Sequence, residues 1–238
     1  MGCPRLMKRT KKQLFPCIKP LPEELLTEVF ARVGSSSVID LFNVKQSCKK
    51  FFNAGCDAEV LRRVSLEKFP TVPWMSSSEY YSFLRDCEEK GNPEALFKHG
   101  MVEYFSSKNK QESGMKFLKK AACLGHEEAA YILGLILLCT DHRLKAQAFD
   151  FLKIVEKESS TSSTNIQKCR KRLEKIIREM WTSRGSLPQP EPLCTSLVCK
   201  KNGLKSGWVS IEDEELSNCE DCRWDHEIVL LRNMLHAL

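Results

Sequence analysis

No apolar run in the chain approaches the roughly 20 residues that a membrane-spanning helix needs. The longest, Ala129 to Cys139, has eleven residues and includes Gly134. Basic residues near the N-terminus are not followed by an apolar stretch, so a secretory signal is not expected, and the chain is expected to work in the nucleus or the cytoplasm. Gly2 follows the first Met, but Leu6 stands where N-myristoylation requires Ser or Thr. Catalytic signatures are missing as well: there is no phosphate-cradling G-x-x-x-x-G-K-[ST], no G-x-G-x-x-G, no H-E-x-x-H and no G-x-S-x-G. The five histidines are dispersed, and Asn218 stands where a zinc deaminase would carry the proline of P-C-x-x-C. An enzyme in its own right is therefore not expected, and function is to be sought in binding.

What is present is ordinary for a soluble chain of 238 residues, with 42% hydrophobic and 29% charged residues, enough for one large domain or two to three small modules. Twelve cysteines are many. Without a secretory signal they read as reduced thiols or metal ligands, with Cys48, Cys87, Cys123 and Cys139 expected as buried small hydrophobes. The net charge of +6 is concentrated at the N-terminus, where Arg5, Lys8, Arg9, Lys11, Lys12 and Lys19 precede the first acid, Glu23. Residues 1–20 are expected to be a basic disordered arm, in which Met7 to Lys12 reads either as a nuclear-import patch or as a solvated segment.

Residues 21–58 carry the most apolar residues for their length. Pro22 suits a first helical turn, Glu23 and Glu24 complement the helix dipole, and Leu25, Leu26, Val29, Phe30 and Val33 form an apolar stripe that Gly34 is expected to end. Ser36 or Ser37 can cap a second helix bearing Val38, Ile39, Leu41, Phe42 and Val44, and Ser47 to Phe52 supplies a third turn. A unit of fewer than about 40 residues seldom folds stably alone, so its core should be completed by something else. Leu21-Pro22, Leu25-Leu26, Val29-Phe30, Asp40-Leu41, Val44, Cys48-Lys49 and Phe51 resemble the F-box motif in order and spacing. The resemblance implies docking onto a Skp-type adaptor and, through it, a cullin complex of a ubiquitin ligase. Leu21, Pro22, Leu25, Leu26, Leu41, Val44 and Cys48 would enter the adaptor, with Lys49 at the rim.

After a joint at 59–77, the chain repeats at a period of 34 residues: Glu94-Ala95 meets Glu128-Ala129, Gly100 meets Gly134, Phe117-Leu118-Lys119 meets Phe151-Leu152-Lys153, and Gly91 meets Gly125. Such a period marks stacked helical hairpins. Helices are predicted at Pro93 to Phe105, Glu112 to Leu124, Glu127 to Cys139 and Leu144 to Glu158, with Gly91 and Gly125 as left-handed helix ends and the small residues marking close helix approach. Gly114 to Leu138 resembles the Sel-like subclass of tetratricopeptide-type repeats, which covers 78–158; Val155 and Glu156 depart from it by replacing the paired alanines. The array reads either as a protein-binding groove or as a spacer.

The Ser/Thr run Ser159 to Thr164 reads as a loop. Beyond it, Ile166, Cys169, Leu173, Ile176, Ile177, Met180 and Trp181 predict a capping helix over 165–182, whose other face carries Lys168, Arg170, Lys171, Arg172, Lys175 and Arg178. That face admits phosphate contact, although Glu174 and Glu179 interrupt it and no aromatics interleave, so a solvated surface is favoured over nucleic acid.

A Pro-rich linker at 183–193 leads to a cysteine-rich module at 194–238. Cys194, Cys199, Cys219 and Cys222 form C-x4-C, nineteen residues, then C-x2-C, with His226 as a substitute ligand. The pattern approaches closed zinc sites, and GLKSGWVSIED between the pairs can form a hairpin. Zinc and free thiols both remain open; metal would supply folding free energy that so short a segment lacks. The segment from Cys219 through Trp224 to Ile228 resembles the end of plant F-box proteins that combine an F-box, Sel-like repeats and a cysteine-rich tail. A further cysteine of that family is replaced by the neighbourhood of Leu231-Arg232. Ile228, Leu231, Met234 and Leu235 predict a final docking helix.

The expected architecture is mainly α: a three-helix F-box, a short α-solenoid of about two and a half helical-hairpin repeats with its capping helix, and a small cysteine-rich module. The resemblance implies a substrate receptor with an unspecified protein substrate. The alternative is a nuclear nucleic-acid-associated zinc module on a helical-repeat scaffold.

Overall fold

The computed structural model describes residues 21–71, 78–106, 108–156, 162–180, 187–197, 199 and 219–236. The basic arm with its import patch, Trp181 and the hairpin between the cysteine pairs lie outside the described residues. Among the described residues the regular structure is helical, with no strand.

Four short helices come first among the described residues: α1 (Glu23–Ser36), α2 (Val38–Lys45), α3 (Lys49–Gly55) and α4 (Ala58–Arg63). Ser37 caps α2 by accepting from the Asp40 amide at 3.2 Å, and Asp57 caps α4 by accepting from Glu59 N at 2.8 Å. Gly34 does not end α1. It sits inside the helix and is buried, where an added Cβ would lie 3.1 Å from Leu41 Cδ2 and 3.6 Å from Val64 Cγ2, so its role is close packing rather than capping. The expected single stripe of α1 is two surfaces: Leu26, Phe30 and Ala31 face the core with Val38 and Leu41, while Leu25 and Val29 face out.

The segment expected as a joint is partly core. Val60, Leu61, Val64 and Leu66 pack with α1 and α2, and Cys87 and Ala95 extend the same cluster into the next helices. Two buried side chains fasten this seam. Asn92 Nδ2 donates to Leu61 O at 3.0 Å and Val64 O at 2.9 Å, and Lys98 Nζ donates to Leu66 O at 2.8 Å. The carbonyls of an otherwise irregular segment are thereby satisfied.

The repeats comprise α5 (Ser78–Glu89), α6 (Pro93–Ser106), α7 (Gln111–Cys123), α8 (Glu127–Thr140) and α9 (Lys145–Glu156). Gly91 and Gly125 hold φ of 79° and 86°, the left-handed conformation expected of helix ends. Asn92 and His126, one repeat apart, each cap the helix that follows: Asn92 Oδ1 accepts from Ala95 N at 3.1 Å and His126 Nδ1 from Ala129 N at 3.2 Å. The helix pairs cross at small residues. A Cβ on Gly114 would lie 2.5 Å from Tyr104 N, and one on Gly134 2.6 Å from Leu152 Cγ and 3.2 Å from Ala148 O. Helix α8 is the centre of the main core, buried from Ala129 through Cys139.

Two further helices are present among the described residues, α10 (Ser162–Glu179) and α11 (Glu220–His236). Helix α10 contributes Ile166, Cys169, Leu173, Ile176 and Ile177, and α11 contributes Trp224, Ile228, Leu231 and Leu235, to the core of the repeats. Helix α11 thus packs into the core of the array. Cys87 and Cys139 are buried as expected, whereas Cys48 and Cys123 are exposed. No helix among the described residues is long and apolar enough to cross a membrane.

Candidate functional site

Three features can bind something: the outer face of the N-terminal unit, the charged seam between the repeats and α10, and the four-cysteine cluster.

On the N-terminal unit, Leu21, Leu25 and Val29 recur every four residues, with exposures of 43%, 54% and 47%. Ile39 of α2 and Phe52 of α3 are exposed as well. Single exposed apolar residues are ordinary on protein surfaces, but Leu25 and Val29 stand one turn apart on α1, with Leu21 exposed just before the helix. Lys50 Nζ donates to Leu21 O at 3.3 Å and so holds the start of this row against α3. Among the residues expected to contact an adaptor, Leu21, Pro22, Leu25, Cys48 and Lys49 are exposed and Val44 is half-buried. Leu26 and Leu41, at 4% and 0% exposure, are buried in the core of the unit. Ile39 and Phe52 are outward apolar residues that the motif alone does not single out.

The basic face expected on α10 is also revised. Lys168, Lys171, Lys175 and Arg178 are exposed, but Arg170 and Arg172 turn inward. Arg172 spans two repeats at once: Nη2 donates to Glu94 Oε2 at 2.6 Å and Nη1 to Glu128 Oε1 at 2.7 Å. These two carboxylates are equivalent positions of the 34-residue repeat. Glu94 Oε2 also accepts from His126 Nε2 at 2.8 Å, a pattern that puts the imidazole proton on Nε2 because Nδ1 accepts from Ala129. Burial pushes the Glu94 carboxyl up, but the His126 hydrogen bond and the Arg172 charge outweigh it and bring the group down to about 2. Burial likewise pulls the Lys98 ammonium down, against the pull of Glu94. Two of the six basic residues on this helix therefore serve the fold, which removes them from any phosphate-binding surface.

The four cysteine thiols converge. The Sγ atoms of Cys194, Cys199, Cys219 and Cys222 all lie within 4.8 Å of one another, with Cys194 to Cys219 at 3.8 Å. Tetrahedral coordination at a zinc–sulfur bond of about 2.3 Å requires sulfur–sulfur edges of about 3.8 Å. The donor set and spacing fit such an ion. Cys219 and Cys222 are placed by the start of α11, while Cys194 and Cys199 come from the chain opposite. His226, held as a substitute ligand, is not in this group; burial on α11 lowers its basicity.

The comparisons agree with this organisation. Residues 66–178 match the family of plant tetratrico peptide repeats. The chain is 33% identical over 196 residues to the Arabidopsis thaliana Putative F-box protein At1g67623, an alignment covering 82% of this chain and 64% of the relative. It is 29% identical over 122 residues to the Arabidopsis thaliana F-box protein At2g35280, covering 51% of this chain and 74% of the relative. A third, F-box protein At1g67340 of the same plant, is 31% identical over 119 residues, 49% of this chain and 31% of the relative. No solved structure matches. The chain is similar to plant F-box proteins, and residues 66–178 are similar to helical repeats of the plant tetratricopeptide type.

Proposed function

We propose that this chain is the substrate-receiving subunit of a Skp-cullin-F-box ubiquitin ligase, working in the nucleus or the cytoplasm. The single observation that carries the reading is the set of outward apolar residues Leu21, Leu25, Val29, Ile39 and Phe52 on a helical unit whose core is already filled by Leu26, Phe30, Val38 and Leu41. A Skp-type adaptor is the partner that F-box relatives suggest for such a face. The role is proximity rather than chemistry: a protein substrate held on the repeats or the C-terminal end is kept near a ubiquitin-loaded enzyme elsewhere in the complex, at high effective concentration. Co-expression with a plant Skp-type adaptor tests it. Wild-type protein should co-purify with the adaptor, and the double substitution Leu21→Ala, Pro22→Ala should lose it; a folded wild-type monomer without adaptor affinity contradicts the reading.

At the other end, Cys194, Cys199, Cys219 and Cys222 are proposed to hold one structural zinc ion. Bound zinc would add folding free energy and no catalytic step, because a four-thiolate set leaves no open coordination position. Purified protein should contain close to one equivalent of zinc, and less than about half an equivalent contradicts a structural site.

A further inference from the structure

Helix α11 makes more connections than a docking helix needs. Within seven residues Asp221 reaches Lys145 of α9 at 3.2 Å, Cys222 joins the thiol cluster, and Arg223 pairs with Glu156 of α9. Glu227 is 2% exposed, accepts from Tyr131 Oη of α8 at 2.5 Å, and pairs with Arg170 of α10, whose Nε lies 3.1 Å away. Burial and the neighbouring Glu227 charge push the Tyr131 hydroxyl well above its ordinary value, so it stays a donor to Glu227.

Between these contacts sits Asp225, three residues after Cys222 and thus on the neighbouring turn of the same helix. Its two carboxylate oxygens accept from consecutive backbone amides of the opposite chain, Oδ1 from Leu193 N at 2.8 Å and Oδ2 from Cys194 N at 3.0 Å. A carboxylate gripping two successive amides fixes both the position and the direction of that chain, and the chain carries the first of the four thiols. Through these amides Asp225 sets where the first thiol stands.

We infer that Asp225 is the positioning residue of the four-cysteine site, and that metal bound there staples α11, and with it the end of the repeat array, to the chain at 193–199. The inference rests on the proposal that the cysteines hold metal. Cys194 and Cys199 approach from one side and Cys219 and Cys222 from α11. An ion shared among them joins the two sides covalently in effect, and Asp225 brings them into register before it binds. Outer-shell partners of this kind change metal affinity by roughly 10- to 100-fold when they are lost.

The test uses the full chain, with zinc as the probe. Zinc affinity is measured by competition with a chromogenic chelator for wild type and for Asp225→Asn, which keeps the shape but removes the charge and offers one oxygen acceptor instead of two. The expected result is one zinc per wild-type chain and at least about tenfold weaker binding by Asp225→Asn. Hydrogen exchange is then followed on wild type before and after chelation. Loss of zinc should deprotect α11 well before α6 and α7, and saturating zinc should restore the protection of α11 in Asp225→Asn. A residue that merely stabilised the helix would not give that rescue. One zinc bound equally tightly by both proteins, or unchanged α11 protection after chelation, overturns the staple while leaving the metal site standing. A wild-type chain that binds no zinc overturns the metal site and the staple together. The chelation experiment needs no variant, so the inference can be overturned even where Asp225→Asn does not fold.

Discussion

The two ends of the molecule treat their apolar residues in opposite ways. In the repeat array, α8 is buried on all sides, and α10 and α11 lie over the repeats and close their core. In the N-terminal unit, α1 buries Leu26 and Phe30 but leaves Leu25 and Val29 in solvent, although α4, α5 and the segment up to Leu66 pack against the same unit. The array has found its covering helices within the chain. The N-terminal unit has neighbours enough to cover its interior side, and still presents a second apolar face. That contrast is what favours an external partner for one end and a scaffold role for the other.

Substitutions in the two regions test the contrast. Leu133→Ala, at 1% exposure in the middle of α8, should cost about 2–5 kcal/mol of stability, seen as a lowered denaturant midpoint, with adaptor binding unchanged once the protein is folded. Arg172→Met removes the guanidinium that Glu94 and Glu128 share in a largely dry seam, where His126 and Lys98 remain beside Glu94. It should cost about 3 kcal/mol, and the loss should fall on the repeats rather than on α1 to α4 in hydrogen exchange.

The same seam predicts a pH dependence. The Glu94 carboxyl is held at about 2 against an unperturbed 4.5. A depressed carboxyl contributes stability that is complete above its unfolded value and disappears as pH falls through its folded value, so this contribution should be lost between about pH 4.5 and pH 2. Glu94→Gln should flatten the stability curve over that window, which acid titration of unfolding checks. At the N-terminal end effects should be smaller. Ser37→Ala removes the cap of α2 and should cost about 1 kcal/mol by thermal or denaturant unfolding. Leu25→Ala should stay within about 0.5 kcal/mol of wild type while weakening adaptor capture, the reverse of Leu133→Ala.

Much of the array is legible in the sequence because a period of 34 residues repeats each signal: glycine at the helix end, a capping residue after it, and small residues at the crossings. Gly91 and Gly125 can be placed in left-handed turns without coordinates for this reason. Gly34 has no repeat partner, and a glycine kept for close approach to Leu41 and Val64 looks the same in sequence as one that ends a helix. Leu25 and Leu26 are likewise adjacent and equally apolar; the positions of α2, α3 and α4 decide which of them faces inward. Arg170 and Arg172 read as a solvated face because their partners, Glu227, Glu94 and Glu128, lie on other helices far away in the chain. The four cysteines are legible from their spacing, whereas Asp225 is not, since its partners are backbone amides that any residue supplies.

The proposed role depends on what covers α1. The most direct measurement is hydrogen exchange of the full chain with and without a plant Skp-type adaptor. Strong protection over 21–52, with α6 to α9 unchanged, is the predicted result. Protection confined to the repeats, or none at an adaptor concentration that saturates other F-box proteins, would contradict it.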